Sequence, residues 1–249
     1  MQVVVDSLIT NYHRTGKGRQ VLILHGWGDN SAGWQTFANN LAANFEIITL
    51  DLPGFGNTQA PRDDWGITEY AVFVAAFLDK VNLELYAILG HSNGGAIAIR
   101  GISNNSLRAK KLVLLASAGI RGEFNGRYRI LRVITKTGKL LVSPLPKAAK
   151  KTLQHKVYRT IGSDMLVAEH LQGTFKKVIA DDVRIDAQSI KLPTLLIYGQ
   201  TDSQTPVRYG QLFHNAIAGS KLHIIPEADH FLHLTHGSQV LNLIKEFLK

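Results

Sequence analysis

The stretch AILGHSNGGAIAIRG, residues 87–101, sets one serine inside a run of apolar and small residues. The apolar residues before it read as a buried strand, and the small residues after it read as a helix packed closely on that strand. Gly90 stands two positions before Ser92 and Gly94 two positions after it. A chain that passes from strand to helix through one sharp, strained turn crowds the residues on either side of the turning residue. Glycine, lacking Cβ, relieves that crowding. The serine hydroxyl then projects above the carboxyl end of the strand, and the spacing is that of a nucleophile elbow. Gly95 lets the following helix lie close to the sheet.

Working outward, five further segments share the character of the first strand. VLILHG (21–26), EIITLDLPGFG (46–56), KLVLLASAG (111–119), TLLIYGQTD (194–202) and KLHIIPEADH (221–230) are short and β-branched or leucine-rich, with no clean alternation, and end in Gly, Pro, Asp or His. Such runs are expected of strands buried on both faces, as in a parallel sheet covered by helices. Helical segments fall between them at 31–45, with Ser31 placed to cap, at 67–83, with Thr68 placed to cap, and at 93–105, 206–219 and 237–249. VVVDS (3–7) and LITNYHR (8–14) are expected to form a leading antiparallel pair at one edge. The fold class that follows is α/β, a doubly wound, mostly parallel eight-stranded sheet.

The alternation breaks after residue 120. Residues 121–189 are read as an inserted helical lid between two parts of one core, 1–120 and 190–249. Residues 121–180 carry 13 Lys/Arg against only Glu123, Asp164 and Glu169, whereas the whole 249-residue chain has a formal charge of +9. Within the insertion, 124–141 is amphipathic at about 100° per residue, gathering Arg129, Arg132, Lys136 and Lys139 on one side and Ile130, Leu131 and Ile134 on the other. Two accounts fit this: a solvated outer face of a lid, or weak attraction to an anionic membrane surface or acidic substrate. Nucleic-acid binding is not expected, since only Phe124 and Tyr128 interleave with the charge.

The bulk numbers narrow the chemistry. A chain that is 45% hydrophobic and 19% charged is globular, and the absence of cysteine excludes disulfides, thiolate nucleophiles and thiolate metal sites. No basic segment followed by a long apolar one opens the chain, and no apolar run approaches a spanning length. A cytoplasmic protein is expected. Oligomeric state is not legible.

A serine hydroxyl becomes nucleophilic when a base takes its proton. Of the 10 histidines, His230 directly follows an apolar strand and precedes the last helix. His233 and His236 fall on the helix start and are not expected to share its position, and a metal site built from the three has no supporting carboxylate spacing. His91 is expected to be a packing or polar-shell residue. Asp202 ends the strand before Pro206, and no carboxylate follows KLVLLASAG before Glu123, so Asp202 is the expected acid; Asp229 is read as a turn residue. The expected catalytic set is Ser92, Asp202 and His230, in the chain order Ser, Asp, His. HGWGDN (25–30) can present the backbone N–H of Trp27, together with that of Asn93, to a developing oxyanion. No cofactor and no metal is expected.

With these motifs in place, the sequence resembles the α/β-hydrolase superfamily, in its small, lid-containing serine esterase-like branch. HGWGDN resembles the oxyanion loop, DLPGFGNT (51–58) the turn that follows, GHSNGG the elbow, GQTDSQTP the acid loop and PEADH the histidine loop. The resemblance implies a serine hydrolase that cleaves small-molecule carboxylic esters. Ser92 departs from the aspartate that haloalkane dehalogenases and epoxide hydrolases of this superfamily carry at the elbow. Carbon–carbon bond hydrolases, lipid or lactone hydrolases and a non-catalytic ligand-binding member stay open as alternatives.

Overall fold

The computed structural model describes residues 1–121 and 168–249. Eight strands form one sheet in the order β1-β2-β4-β3-β5-β6-β7-β8. β1 (Gln2–Val5) and β2 (Leu8–Thr15) make the antiparallel pair at one edge, turning through Asp6 and Ser7 at positive φ. β2 runs antiparallel to β4 (Glu46–Leu50). From β4 through β3 (Gln20–Leu24), β5 (Leu85–His91), β6 (Lys111–Leu115) and β7 (Thr194–Gly199) to β8 (Lys221–Ile225), every neighbouring pair is parallel. The chain adopts the doubly wound α/β fold expected of it.

The unbroken apolar runs have a direct cause. Alternate residues of each central strand enter different cores on the two faces of the sheet. Leu22, Ile48, Ile88, Leu114 and Leu196 join one core with α2 (Ile67–Lys80), α3 (Asn93–Ser103) and α6 (Val207–Ala216), which supply Phe73, Phe77, Ile97 and Phe213. Ile23, Ile47, Leu89, Val113 and Ile197 join the other with α1 (Gln35–Leu41) and α8 (Gly237–Leu248), which supply Phe37, Leu41, Val240 and Ile244.

β8 departs from expectation. It was expected to be buried on both faces, but of its five residues only Ile225 is buried, and Ile224 is exposed. As the edge strand it has a single neighbour, so part of its surface lies uncovered. Two helix starts also differ. Asn30, not Ser31, caps the first helical turn by accepting from the Ala32 amide at 2.9 Å, while the Ser31 amide donates to the Asp51 carboxylate at 2.6 Å. α2 begins after Gly66, whose amide donates to Glu69 at 2.7 Å. Thr68 serves elsewhere, accepting from Arg100 at 2.8 Å.

After residue 167 the chain forms α4 (Gln172–Ala180) and α5 (Arg184–Gln188). α5 sends Ala187 into the first core, flanked by Val183 and Ile190. α4 lies on the loops at the carboxyl ends of the strands: Phe175 packs on Trp27 at 5.1 Å, Thr174 accepts from the Trp65 amide at 3.0 Å and Lys177 donates to the Asp64 carbonyl at 2.6 Å. Arg100 joins Thr68, Asp181 at 2.9 Å and Asp186 at 3.1 Å, linking α2 and α3 to this segment. The amphipathic stretch 124–141, with Arg129, Arg132, Lys136 and Lys139, lies outside the described residues. Among the described residues, no helix is long and apolar enough to cross a membrane.

α3 rests directly on β3 at Gly94. A Cβ on Gly94 would collide with the carbonyl oxygen of Leu24, and backbone on both sides leaves nothing flexible to yield. Gly94→Ala is therefore expected to cost at least about 3 kcal/mol through overpacking, read as a lower urea midpoint; an unchanged midpoint would contradict this packing.

Candidate active site

Ser92 links β5 directly to α3 at φ 50, ψ −116, in the left-handed half of backbone space. A non-glycine residue persists there only when its surroundings hold it. They do so with four hydrogen bonds: the Ser92 amide donates to the Leu115 carbonyl at 3.1 Å, and the Ser92 carbonyl accepts from Gly95 and Ala118, each at 3.0 Å, and from Ala96 at 3.3 Å. The glycine spacing has a steric reason, since a Cβ on Gly90 would lie 2.6 Å from the Gly94 carbonyl oxygen. Gly95 backs onto Ser117, where a Cβ would strike the hydroxyl.

The loop after β3 meets the elbow at Gly26, where a Cβ would sit 3.2 Å from that of Ser92 and 2.9 Å from Nδ1 of His91. Trp27 follows in the chain, with its ring against Phe55 at 4.9 Å as well as Phe175. Two buried side chains shape this loop. His25 donates from Nδ1 to the Gly26 carbonyl at 2.7 Å and accepts at Nε2 from the Leu52 amide at 3.0 Å, and burial holds its pKa down. Asp51 accepts from the Ser31 amide, the Asn57 amide and the Asn11 side chain. Burial would raise its pKa, but these donors outweigh it and keep the carboxylate ionised.

On the other side, Asp202 follows β7 and His230 follows β8. His230 Nδ1 lies 2.8 Å from Asp202 Oδ2, and both are buried. The remaining capacity of the carboxylate is filled: Oδ1 accepts the amides of Gln204 and Thr205 at 2.8 and 2.9 Å, and Oδ2 accepts the Thr205 hydroxyl at 2.7 Å. Burial opposes ionisation of Asp202, but the bonds to His230 and Thr205 prevail and lower its pKa. An ionised Asp202 accepts from Nδ1–H of His230, which leaves Nε2 as the proton-accepting nitrogen. Asp229 turns away, accepting the Phe231 amide at 3.0 Å.

Thr205 escapes a reading of the sequence, because its value depends on which strand end lies beside it. Its hydroxyl also reaches the Ala116 carbonyl at 3.0 Å, joining the acid loop to the end of β6. The one signal available is its place three residues after Asp202 and directly before Pro206. The histidines too are closer together than their spacing implies. His233 stacks on Trp34 at 4.1 Å with nearly parallel rings, and His91 lies 4.8 Å from His233 and 4.9 Å from His230. Among the described residues, no group of three or more His, Asp or Glu is placed to hold a metal ion.

A family model described as the alpha/beta hydrolase fold matches residues 20–131, the span holding the Gly26 loop and the serine elbow. The match and the sheet order give this chain the α/β-hydrolase fold. A relative, 2-hydroxy-6-oxo-2,4-heptadienoate hydrolase of Pseudomonas putida, is 22% identical over 99% of this chain and 95% of its own length. The pimeloyl-[acyl-carrier protein] methyl ester esterase of Aliivibrio fischeri is also 22% identical, over 94% of this chain and 95% of its own. Among solved structures, Est816, described as an N-acyl homoserine lactone degrading enzyme, superposes with a TM-score of 0.76 at 25% identity, covering 99% of this chain and 100% of its own.

The buried His233 is expected to make the fold sensitive to acid. Burial lowers the pKa of His233 from 6.5 to about 4, and its Nδ1 is buried without a partner. The unfolded chain protonates this ring near 6.5 while the folded chain resists until about 4. Stability is thus full above 6.5 and drains between the two values, by on the order of 3 kcal/mol. His233→Phe, which keeps a ring on Trp34, is expected to match wild type in urea at pH 7 and to exceed it at pH 5. Equal losses between the two pH values would contradict the account.

Proposed function

We propose that this protein of the α/β-hydrolase fold is a serine hydrolase that cleaves carboxylic esters of small to medium acyl substrates through an acyl-enzyme. The observation that carries the reading is the buried 2.8 Å pair of His230 and Asp202 at the strand ends, together with a serine held in a strained turn between β5 and α3. In this reading Ser92 attacks the ester carbonyl as Nε2 of His230 takes its proton. Asp202 holds the ring orientation and stabilises the imidazolium. The oxyanion is met by the backbone N–H groups of Trp27 and Asn93, the latter opening α3, whose aligned peptides favour negative charge there. His230 then protonates the leaving alcohol, and water hydrolyses the acyl-serine by the same steps in reverse. No step draws on a metal or cofactor.

Two features support a small ester in particular. The methyl ester esterase relative carries its activity over nearly its full length, and the aromatic group Trp27, Phe55 and Phe175 offers an apolar surface beside the Gly26 loop. We further propose that the insertion, residues 121–189, acts as a lid that shapes substrate choice, with α4 as one of its seats on the core. Its basic residues are proposed to give it a solvated outer face, with weak attraction to anionic membranes as the alternative. A second reading, hydrolysis of a carbon–carbon bond on the same three residues, is favoured by the Pseudomonas putida relative, which matches 99% of this chain.

A panel of p-nitrophenyl esters of graded chain length, run beside a vinylogous 1,5-diketone acid, separates the two readings. Ser92→Ala is expected to lower turnover at least ~10³-fold and to abolish fluorophosphonate labelling while the fold persists. Substantial residual turnover by that variant would sink the assignment. Asp202→Asn is expected to impair turnover no more than His230→Ala does, and Asp229→Asn to leave it near wild type. Inactivation by Asp229→Asn alone would show that the acid is wrongly chosen.

A further inference from the structure

We infer that His91 is a positioning residue for His230, holding the base in reach of the nucleophile through a hydrogen bond to its backbone; this rests on the proposed reading of the site. His91 Nε2 lies 3.0 Å from the carbonyl oxygen of His230, and the ring is 1% exposed. A carbonyl oxygen only accepts, so Nε2 bears the hydrogen. Nδ1 is left as a bare lone pair against Gly26, buried and without a partner. A ring present for packing alone has no need of that bond, and an apolar side chain would fill the same space without an orphaned nitrogen.

The sheet order gives the bond its value. Ser92 ends β5 and His230 follows β8, with β6 and β7 between them. Strands lie about 4.8 Å apart, so for its imidazole to serve Ser92 the loop after β8 must reach back across two strands. Its bonds to the neighbouring strand do not achieve this. The Gln200 amide donates to Ile225 and the Thr201 amide to Ala228, and Asp202 grips the imidazole, but all three groups follow β7. The His91 bond runs from the residue before the nucleophile to the base itself, across 139 positions of chain.

The surroundings keep the donor in place and uncharged. Trp34, His233 and Phe231 lie 5.6, 4.8 and 6.2 Å from the His91 ring, centroid to centroid. Burial first, and then the neighbouring His230 and His233, hold the His91 pKa well below the usual histidine range. A second cation beside the imidazolium that forms on His230 is thereby avoided.

The test uses the full chain with His91→Leu, His91→Asn and His91→Gln. Leu removes the donor, Asn keeps an amide too short to reach, and Gln places an amide N–H where Nε2 stands. Active sites are titrated with a fluorophosphonate, so that turnover refers to folded enzyme alone. His91→Leu and His91→Asn are expected to lower kcat roughly 10- to 100-fold with KM nearly unchanged, as for a base displaced by a fraction of a bond length. His91→Gln is expected to recover most of the loss. Wild-type kcat in the Leu and Asn variants, or a Gln variant as slow as Leu, overturns the inference. If no variant, wild type included, turns over an ester or takes the label, the reading of the site has failed instead. The His91 bond is then judged by histidine 15N spectra. The downfield Nδ1–H signal of His230 against Asp202 should survive in wild type and Gln and weaken in Asn, and an unchanged signal in Asn overturns the inference. Asn also serves where Leu does not fold.

Discussion

The backbone of Ser92 is held in a conformation that side-chain-bearing residues rarely adopt, and most of the molecule is arranged to hold it there. Its restraint comes from Leu115 at the end of β6 and Ala118 just after it, and its room comes from Gly90 and Gly94, which let α3 rest on β3 with nothing between. Strain of this kind typically costs on the order of 1–3 kcal/mol. The two cores pressed against the sheet from opposite faces supply the rigidity that keeps it from relaxing. The hydroxyl therefore stands clear of the strand ends because the packing beneath it allows no alternative.

The rest of the site repeats this pattern of loops tied to loops. Asp51 gathers the amides of Ser31 and Asn57 with the side chain of Asn11, so the segments after β3 and β4 share one carboxylate. Asp202 does the same for the segment after β7 while facing His230. Each carboxylate is buried, yet each has its pKa lowered, because enough donors converge to outweigh the loss of water. Buried charge that is fully hydrogen-bonded stiffens its surroundings, and here it stiffens the loops that flank the serine.

The central strands were legible in the sequence because burial on both faces leaves an unbroken apolar run. β8 misled for the complementary reason: KLHII has the composition of such a run, but its place at the edge is a property of the whole sheet. The helical turn that precedes α1 shows a finer limit. Asn30 and Ser31 are adjacent and both cap well, and Asp51, 20 residues later, draws off the Ser31 amide. Ser92 is legible as a candidate through its glycines, and Asp202 and His230 through the strands they follow. Thr205 and the His91 bond left no comparable trace, since each gains its meaning from a strand end that only the assembled sheet brings near.

Residues 116–193 leave the sheet at the end of β6 and return at β7, and those two strands are neighbours, with the Leu112 amide bonded to the Pro193 carbonyl. This excursion is a closed loop whose ends are pinned whatever lies between them. The entropic cost of closing such a loop grows only with the logarithm of its length, about 0.6 kcal/mol per doubling. Lengthening or replacing the middle of the excursion thus costs the sheet little so long as its two roots stay pinned. The scaffold separates what must be kept from what is free to drift: the sheet depends on the pinned roots, and the strand-to-strand detour is where descendants of this chain can change length and composition at little cost to the fold.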